Sequence, residues 1–181
     1  MEPVPLGDGL VVTGTSLRLA VWPDLESLWK LYNDIIAEGG FTGHLDPLPI
    51  EDRRAWLEEH MDVRYPLLVA EDPTGIVGYG SISPWRAGRR ALDPTVEVSI
   101  YLAPRARSRG LGRLLLTEFV SRAKALGHGK MIAIVFDVNA GSLRLCESCG
   151  FQRWGHIPGS AILATGQCGS VVMGLDLLAP A

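Results

Sequence analysis

The sequence is short of cysteine, of basic charge and of long apolar runs, and each shortage excludes a class of protein. Three cysteines among 181 residues are too few, and an odd number, for a disulfide framework, and they suit a reducing cytoplasm. A net charge of −3 argues against nucleic acid as a partner. No apolar run has membrane-spanning length and Met1–Thr15 carries no basic residue, so we expect neither a membrane protein nor a signal peptide.

What the sequence does contain is a basic, glycine-rich loop between an alternating strand and an amphipathic helix. The loop reads Arg107-Ser108-Arg109-Gly110-Leu111-Gly112-Arg113. At a helix start the first backbone N–H groups lack intrahelical partners and carry the positive end of the helix dipole. Glycine lets a bulky anion approach, and the three arginines add positive charge. The loop therefore predicts a phosphate or pyrophosphate site, although a basic glycine turn can also be a plain helix start.

Two common phosphate motifs do not fit this loop. A Rossmann fingerprint needs a small residue at the position where Leu115 follows Gly110 and Gly112. A Walker loop needs a spacing and a hydroxyl that the nearest run, Gly127-His128-Gly129-Lys130-Met131, lacks. The pattern that remains is R-x-x-G-x-G between a strand and a helix.

The hydrophobic periodicity predicts one α/β domain, large enough to bury about two-thirds of its unfolded surface. We expect residues 1–15 to be a flexible, Pro/Gly-rich arm and residues 16–181 to be the domain. Strands interrupted by helices, with a late βαβ unit, are typical of a mixed α/β sheet. The predicted strands are 17–21, 66–70, 76–83, 96–102, 131–136, 151–156 and 170–177, and the predicted helices begin at Pro23, Ile50, the glycine loop and Asn139.

The strand before the loop alternates, with Glu97, Ser99 and Tyr101 on its polar face. A central strand that feeds a crossover helix is normally apolar on both faces, so the polar face lines either a cleft or solvent. The adjoining phosphate loop favours the cleft. In a cleft Glu97 is a candidate general base, because a carboxylate on a cleft wall can take a proton from a bound ligand. The alternative is a surface glutamate paired with a neighbouring arginine.

Two other groups of residues allow more than one interpretation. Asn139 with Ser142 fits a helix N-cap, and equally an amide and a hydroxyl presented to an extended ligand. Cys146 and Cys149 lie three apart on a short predicted helix, and the spacing to the remaining cysteine and histidines fits no zinc template well. We therefore expect a buried or cleft-facing thiol at Cys146 and no metal.

Several separate segments resemble, in order along the chain, the phosphinothricin acetyltransferase-like branch of the GNAT N-acetyltransferase superfamily. The resemblance extends from Leu17 to about Leu177. It is carried by Leu31-Tyr32-Asn33-Asp34, Arg53-Arg54-Ala55-Trp56-Leu57, Tyr65-Pro66-Leu67-Leu68-Val69-Ala70, Gly78-Tyr79, Pro84-Trp85-Arg86, Thr95-Val96-Glu97-Val98-Ser99-Ile100-Tyr101, the glycine loop, Asn139, Ser142-Leu143-Arg144-Leu145 and Gly150-Phe151.

The resemblance implies the GNAT fold, a central mixed and mostly antiparallel sheet flanked by helices. It also implies acetyl transfer from acetyl-CoA to a primary amine by direct attack in a ternary complex, with Glu97 as the catalytic glutamate, and often a homodimer. The residues implied to bind acetyl-CoA are Ile100, Tyr101 and Leu102 for the pantetheine arm, Ser108, Arg109, Gly110, Leu111, Gly112 and Arg113 beside Arg107 for the pyrophosphate, and Asn139 with Ser142.

Three departures from the branch affect the acid and the acceptor side. Cys146 stands where the superfamily often has a tyrosine acid and this branch a histidine, and a thiol can either protonate the leaving CoA thiolate or be inert. Leu92-Asp93-Pro94 replaces an aromatic residue before the catalytic strand. The branch's C-terminal Lys…Gly-x-Trp-x-Asp segment is absent from residues 161–172.

The expected acceptor is an amino acid or an amino-acid-like antimetabolite, because Arg86, Arg89 or Arg90 can pair with a carboxylate. Phe41 and Ser99 complete the set of candidate acceptor residues. Two alternatives stay open: acetylation of an aminoglycoside-like or peptide amine, and a domain that binds acyl-CoA as a sensor without catalysis. We expect a cytoplasmic protein with no nucleic-acid or membrane partner.

Overall fold

A computed structural model describes residues 11–12 and 14–179 of the protein. Of the expected N-terminal arm, residues 1–10 and 13 lie outside the described residues, and Val11–Val12 pair with Thr15 and Ser16. The helices are α1 (Leu25–Glu38), α2 (Ile50–Glu59), α3 (Leu111–Ala125) and α4 (Ala140–Ser148). The strands are β1 (Val11–Val12), β2 (Thr15–Leu19), β3 (Leu67–Asp72), β4 (Gly75–Pro84), β5 (Thr95–Leu102), β6 (Lys130–Phe136), β7 (Gln152–Leu163) and β8 (Gly166–Asp176).

The described strands form one sheet in the order β1-β2-β3-β4-β5-β6-β8-β7. Neighbouring strands run antiparallel except β5 and β6, which are parallel and are connected through α3. A parallel pair needs such a crossover, whereas antiparallel pairs can be joined by short turns. The mixed, mostly antiparallel sheet with flanking helices confirms the expected fold class. None of the described helices is both long and apolar enough to span a membrane.

Alternation along the strands divides the core into two layers, one on each face of the sheet. On β3, Leu68 and Ala70 belong to the cluster that contains Phe119 of α3. Their neighbours Leu67 and Val69 belong to the cluster built on α1 and α2. All five side chains are fully buried, so each of the larger ones contributes on the order of 1.5–3 kcal/mol of hydrophobic stabilisation.

Glycines follow the ends of α1 and α4, and an asparagine caps the start of α4, as the sequence predicts. Gly39 and Gly40 follow α1 with φ of 77° and 81°, in the left-handed region that favours glycine. Gly150 follows α4 with φ of 88°. The Asn139 side chain accepts a hydrogen bond from the backbone N–H of Ser142 at 3.0 Å and so caps α4.

The last hairpin is longer than the sequence predicts. Strands β7 and β8 replace the predicted segments 151–156 and 170–177. Pro158 and Gly159 break the strand pattern, and the structure accommodates them in a register irregularity between Ile157 and Ala161. Strand β7 lies at the edge of the described sheet, where a proline need not donate a ladder hydrogen bond.

Strands β5 and β6 separate part-way along their length. Their parallel pairing covers Thr95, Val96 and Glu97, and the last pair is Glu97 with Ile132. Beyond it, β5 continues beside β4 to Leu102, while β6 continues beside β8. The described sheet therefore has a gap between two of its central strands, and α3 and α4 begin at the mouth of that gap.

Candidate active site

A cavity of about 490 Å³ lies between the glycine loop, the end of β5 and α4, and we call it the larger cavity. Ten of the twelve expected cofactor residues line it: Ile100, Tyr101, Leu102, Arg107, Ser108, Gly110, Gly112, Arg113, Asn139 and Ser142. The other two lie outside its lining. The Arg109 side chain is exposed, and the Leu111 side chain is buried in the core, so Leu111 can contribute only through its backbone.

Helix α3 begins at this cavity without a side-chain cap. Its N-cap residue, Gly110, has φ of 82°, and no side chain of the described residues bonds to the helix start. The N–H of Leu114 donates to the Gly110 carbonyl at 3.0 Å. The amides of Leu111, Gly112 and Arg113 therefore precede the hydrogen-bonded turns and lie at the positive end of the helix dipole. With the Arg113 guanidinium on the cavity wall, this end of α3 fits a diphosphate.

Alternate backbone groups of β5 face the gap beside β6. The Ala103 amide donates to the Val77 carbonyl at 2.9 Å, and the Thr95 carbonyl accepts a bond from the residue after β4 at 3.0 Å. The odd-numbered residues of β5 thus bond to β4. The Val98 carbonyl and both backbone groups of Ile100 point the other way, beyond the last pair with β6, where the described sheet supplies no pairing strand. An extended ligand arm in the gap can bond to them as an added strand.

A second cavity, of about 260 Å³, adjoins the first, and we call it the smaller cavity. Its lining includes Glu97, Ser99 and Cys146. Phe41 and Asn139 line both cavities. The structure therefore brings together candidate residues from β5, α4 and the loop after α1, at the point where a ligand arm along β5 would end.

Glu97 lies half-buried on the wall of the smaller cavity. Burial raises the pKa of its carboxyl group above the ordinary value, and the positive charge of Arg86 opposes that shift. No ion pair or side-chain hydrogen bond joins Glu97 to another described residue, Arg86 included. A carboxylate in this setting can accept a proton from a cationic amine, directly or through water.

The amino-acid sequence matches the acetyltransferase (GNAT) family over residues 23–151, which is more than half of the chain. The chain belongs to the GNAT family. Among its relatives, YwnH of Bacillus subtilis is 40% identical over 146 residues, 81% of this chain and 89% of YwnH. The L-methionine sulfoximine/L-methionine sulfone acetyltransferase of Pseudomonas aeruginosa is 35% identical over 144 residues, 79% of this chain and 83% of that protein.

A solved structure gives the same assignment. The GNAT superfamily phosphinothricin acetyltransferase of Sinorhizobium meliloti, in complex with acetyl-CoA, superposes with a TM-score of 0.86 at 31% identity. The match covers 91% of this chain and 89% of that one. These comparisons confirm the predicted acetyl-CoA-dependent N-acetyltransferase of the phosphinothricin acetyltransferase-like branch.

Cys146 of α4, the candidate proton donor, lines the smaller cavity. Burial, with smaller effects from Cys149 and Glu147, raises the pKa of its thiol to about 11. Proton transfer from that thiol to a thiolate of ordinary pKa, about 8.5, is uphill by about 3 kcal/mol. The structure therefore favours the alternative in which the Cys146 thiol does not protonate the leaving CoA thiolate. Among the described residues, no three His, Cys, Asp or Glu side chains are grouped to hold a metal.

The GNAT loop glycines have a packing role that the sequence reasoning missed. A Cβ atom at Gly112 would lie 3.0 Å from Cδ2 of Leu145 and 3.6 Å from Cδ1 of Leu102. Gly112 thus lets α3 approach α4 and β5 closely, besides exposing its amide. Arg144 was also missed as a cavity residue, although it stands with Gly141 and Ser148 on one helical face that lines the larger cavity.

The three arginines considered for the acceptor differ in their positions. Arg86 is exposed, has φ of 58°, and holds its guanidinium 5.0 Å from the ring centre of Trp85. Its charge acts on Glu97. Arg89 and Arg90 are exposed in the loop before β5, and none of the three arginines is among the residues that line the two cavities. Arg86 is therefore the best placed of the three to meet an acceptor carboxylate.

Proposed function

We propose that this GNAT enzyme transfers the acetyl group of acetyl-CoA to the α-amino group of an amino-acid-like molecule, by direct attack in a ternary complex. The observation that carries the proposal is the position of Glu97. Its carboxylate has no described ion-pair partner, and it lines the smaller cavity, which shares Phe41 and Asn139 with the larger one. A base in the cavity next to the donor site can reach an amine beside a thioester bound along β5.

The larger cavity fits the donor. We assign the diphosphate of acetyl-CoA to the amides at the start of α3 and to Arg113, and the pantetheine arm to the open edge of β5 at Val98 and Ile100. The Asn139 side-chain oxygen is engaged in capping α4, which leaves its N–H groups to face the ligand. When bound, acetyl-CoA supplies the thioester and leaves as coenzyme A.

Glu97 is the residue that takes a proton from the acceptor amine. Its carboxylate accepts the proton that an ammonium group must lose before the nitrogen attacks. The raised pKa of Glu97 makes that transfer easier than for an exposed carboxylate. The N–H groups on the open edge of β5 can polarise the thioester carbonyl as the C–N bond forms and the C–S bond breaks. Because its raised pKa makes Cys146 a poor proton donor, the departing thiolate can take the second proton, which the attacking nitrogen loses as the amide forms.

The names of the relatives support an amino-acid-like acceptor. The Pseudomonas aeruginosa relative is named for L-methionine sulfoximine and L-methionine sulfone, and the Sinorhizobium meliloti structure for phosphinothricin. Each of these molecules carries an α-amino group beside a carboxylate. In this chain Arg86 would pair with that carboxylate and Glu97 would face the amine, with Phe41 and Ser99 on the cavity wall.

The deciding experiment is a panel of amines assayed with acetyl-CoA and mass detection of products. We expect N-acetylation of L-methionine sulfoximine and of phosphinothricin, with one coenzyme A released for each product. Turnover of aminoglycosides or peptide amines alone would overturn the amino-acid-like acceptor. Binding of acetyl-CoA with no acceptor-dependent release from any amine would support the sensor instead.

We also propose a homodimer in the cytoplasm, with residues 16–181 acting as one domain. Support for the dimer comes from the edge strand β7, where Trp154, Ile157 and Ile162 expose 43%, 55% and 76% of their surface. Such apolar exposure on a sheet edge suits contact with a second copy. Light scattering after size exclusion should give twice the chain mass, and Ile157→Lys with Ile162→Lys should give the monomer. An unchanged mass in that variant would remove β7 from the interface.

A further inference from the structure

Arg107 contacts three separate parts of the site at once. Its Nη2 donates to Oε2 of Glu38 at 2.7 Å, and its Nη1 donates to the other oxygen of the same carboxylate. Its Nε donates to the Leu102 carbonyl at 3.0 Å. The guanidinium carbon lies 4.4 Å from the ring centre of Phe41. We call Arg107, Glu38 and Phe41 the Arg107 clamp.

In the Arg107 clamp the guanidinium group makes the two contacts that its planar shape favours, one with a carboxylate and one with an aromatic ring. A two-point pair with a carboxylate fixes its orientation, and stacking on an aromatic ring covers one face. The pair is partly shielded, since the two side chains expose only 28% and 35% of their surface, and so it is screened less than a pair on open surface. Release of Arg107 to a diphosphate would leave the Glu38 carboxylate unpaired beside a second anion.

Phe41 needs such a contact to hold its position. Between Glu38 at the end of α1 and Phe41 stand Gly39 and Gly40, whose backbones are less restricted than those of residues with a side chain. Phe41 is one of six residues that line both cavities, so the place of its ring contributes to the boundary between them. Arg107 connects that ring to the loop that precedes α3, across 69 residues of sequence from Glu38.

The Leu102 contact has a further effect on the open edge of β5. Leu102 is even-numbered, so its carbonyl faces the gap with those of Val98 and Ile100. The bond from Arg107 occupies this carbonyl. An added strand can therefore pair with β5 at Val98 and Ile100, while Arg107 marks where the pairing stops.

We propose that Arg107 is a positioning residue and not a ligand of the diphosphate: with Glu38 it holds Phe41 as the wall between the donor and acceptor cavities. The proposal rests on the proposed function, because it takes the smaller cavity to be the acceptor site. It assigns the binding of the diphosphate to the α3 amides and Arg113, and it makes Arg107 a determinant of acceptor binding.

The test compares Arg107→Lys and Glu38→Gln with the wild type. Lysine keeps the charge and loses the two-point pair. We expect each variant to raise the KM for L-methionine sulfoximine about tenfold, which corresponds to one well-oriented charged pair. We expect the acetyl-CoA dissociation constant, measured by calorimetry, to stay within about threefold. The double variant should raise this KM no further than the more impaired of the two single variants does, because both changes break the same contact.

The matched control is Arg105→Lys. Arg105 lies two residues earlier, donates to Thr74 at 2.7 Å, and lies outside the linings of both cavities. This variant should leave both constants unchanged. A large loss of acetyl-CoA affinity in Arg107→Lys, without one in Glu38→Gln, would make Arg107 a diphosphate ligand and overturn the proposal. An unchanged acceptor KM in both clamp variants would overturn it as well.

A second readout keeps the clamp testable if the acceptor is another amine. Water entering past a displaced Phe41 should hydrolyse bound acetyl-CoA, so both clamp variants should release coenzyme A without an amine several times faster than the wild type. An equal rate in all three proteins would reject the clamp. A wild type that binds acetyl-CoA and acetylates none of the amines would reject only the proposed function.

Discussion

Glu97 of β5 and Ile132 of β6 form the last pair of the only parallel ladder in the described sheet. Past this pair the two strands separate, and the backbone of β5 is left with one open edge. The candidate base, Glu97, therefore lies where β5 and β6 separate. The open edge of β5 runs from there toward the glycine loop. One irregularity of the sheet thus places both the base and the binding edge for the donor.

The open edge predicts that Ile100→Pro weakens acetyl-CoA binding without unfolding the protein. Proline removes the Ile100 amide, which faces the gap and bonds to no strand of the described sheet. We expect the acetyl-CoA dissociation constant to rise by about tenfold, the loss expected for one well-aligned hydrogen bond. Calorimetric titration measures the affinity, and far-ultraviolet circular dichroism checks the fold.

Two control variants separate the backbone effect from that of the side chain. Ile100→Ala keeps the amide and shortens the side chain, so it should bind acetyl-CoA more tightly than the proline variant. Tyr101→Pro removes an amide on the other side of the strand, where β5 bonds to β4, and should unfold the sheet. Equal affinities of Ile100→Pro and Ile100→Ala would show that the edge amide plays no part.

Glu97→Gln should lower kcat by about 100-fold or more, the usual contribution of a positioned general base. The amide keeps the size of the side chain and cannot accept the proton. The acetyl-CoA dissociation constant should not change, because Glu97 lies outside the lining of the larger cavity. Single-turnover assays with excess L-methionine sulfoximine measure the rate. A variant as fast as the wild type would exclude Glu97 from the reaction.

The same carboxyl group predicts a pH dependence of stability. Burial raises its pKa in the folded protein, so the folded state binds the proton more tightly than the unfolded chain does. Between the unfolded and folded pKa values the free energy of unfolding therefore falls as the pH rises. Glu97→Gln removes this loss, so the variant should be more stable than the wild type at neutral pH. The difference should vanish below about pH 4, where the unfolded carboxyl is also protonated.

Urea unfolding from pH 4 to pH 8 measures this difference. Glu58→Gln is the matched control, because Glu58 is exposed on α2 and should show no comparable pH-dependent gain. A Glu97→Gln variant that is less stable than the wild type at neutral pH would mean that the ionised carboxylate has a stabilising partner in the fold.

Much of this architecture could be predicted from the sequence because its signals are local. The alternation on β5 placed Glu97 and Ser99 on one face, and the glycine loop marked the start of α3. The cap at Asn139 needs only three neighbouring residues. Each of these features depends on contacts within a few positions of the chain, which periodicity and helix-capping rules describe well.

Contacts between distant segments could not be predicted in this way. Arg107 reads in the sequence as one of three loop arginines on a phosphate, but in the structure its charge pairs with Glu38, 69 residues away. Leu111 belongs to the same motif, yet its side chain completes the core. The length of β7 was missed because Pro158 and Gly159 are tolerated only at a sheet edge, and edge position is a property of the whole sheet.

The burial of Cys146 leads to the last prediction, that Cys146→Ala changes kcat by less than about threefold while lowering stability. The thiol, with its pKa of about 11, stays protonated through the working pH range and is a poor acid toward the CoA thiolate. It is 4% exposed and packs in the cluster that includes Leu143 and Phe151, so its loss leaves a small void. Stopped-flow detection of released coenzyme A gives the rate, and thermal unfolding gives the stability. Cys149→Ala, a change of the more exposed neighbouring thiol, should alter neither by as much. A 100-fold loss of kcat in Cys146→Ala, with the unfolding midpoint unchanged, would instead make the thiol the proton donor.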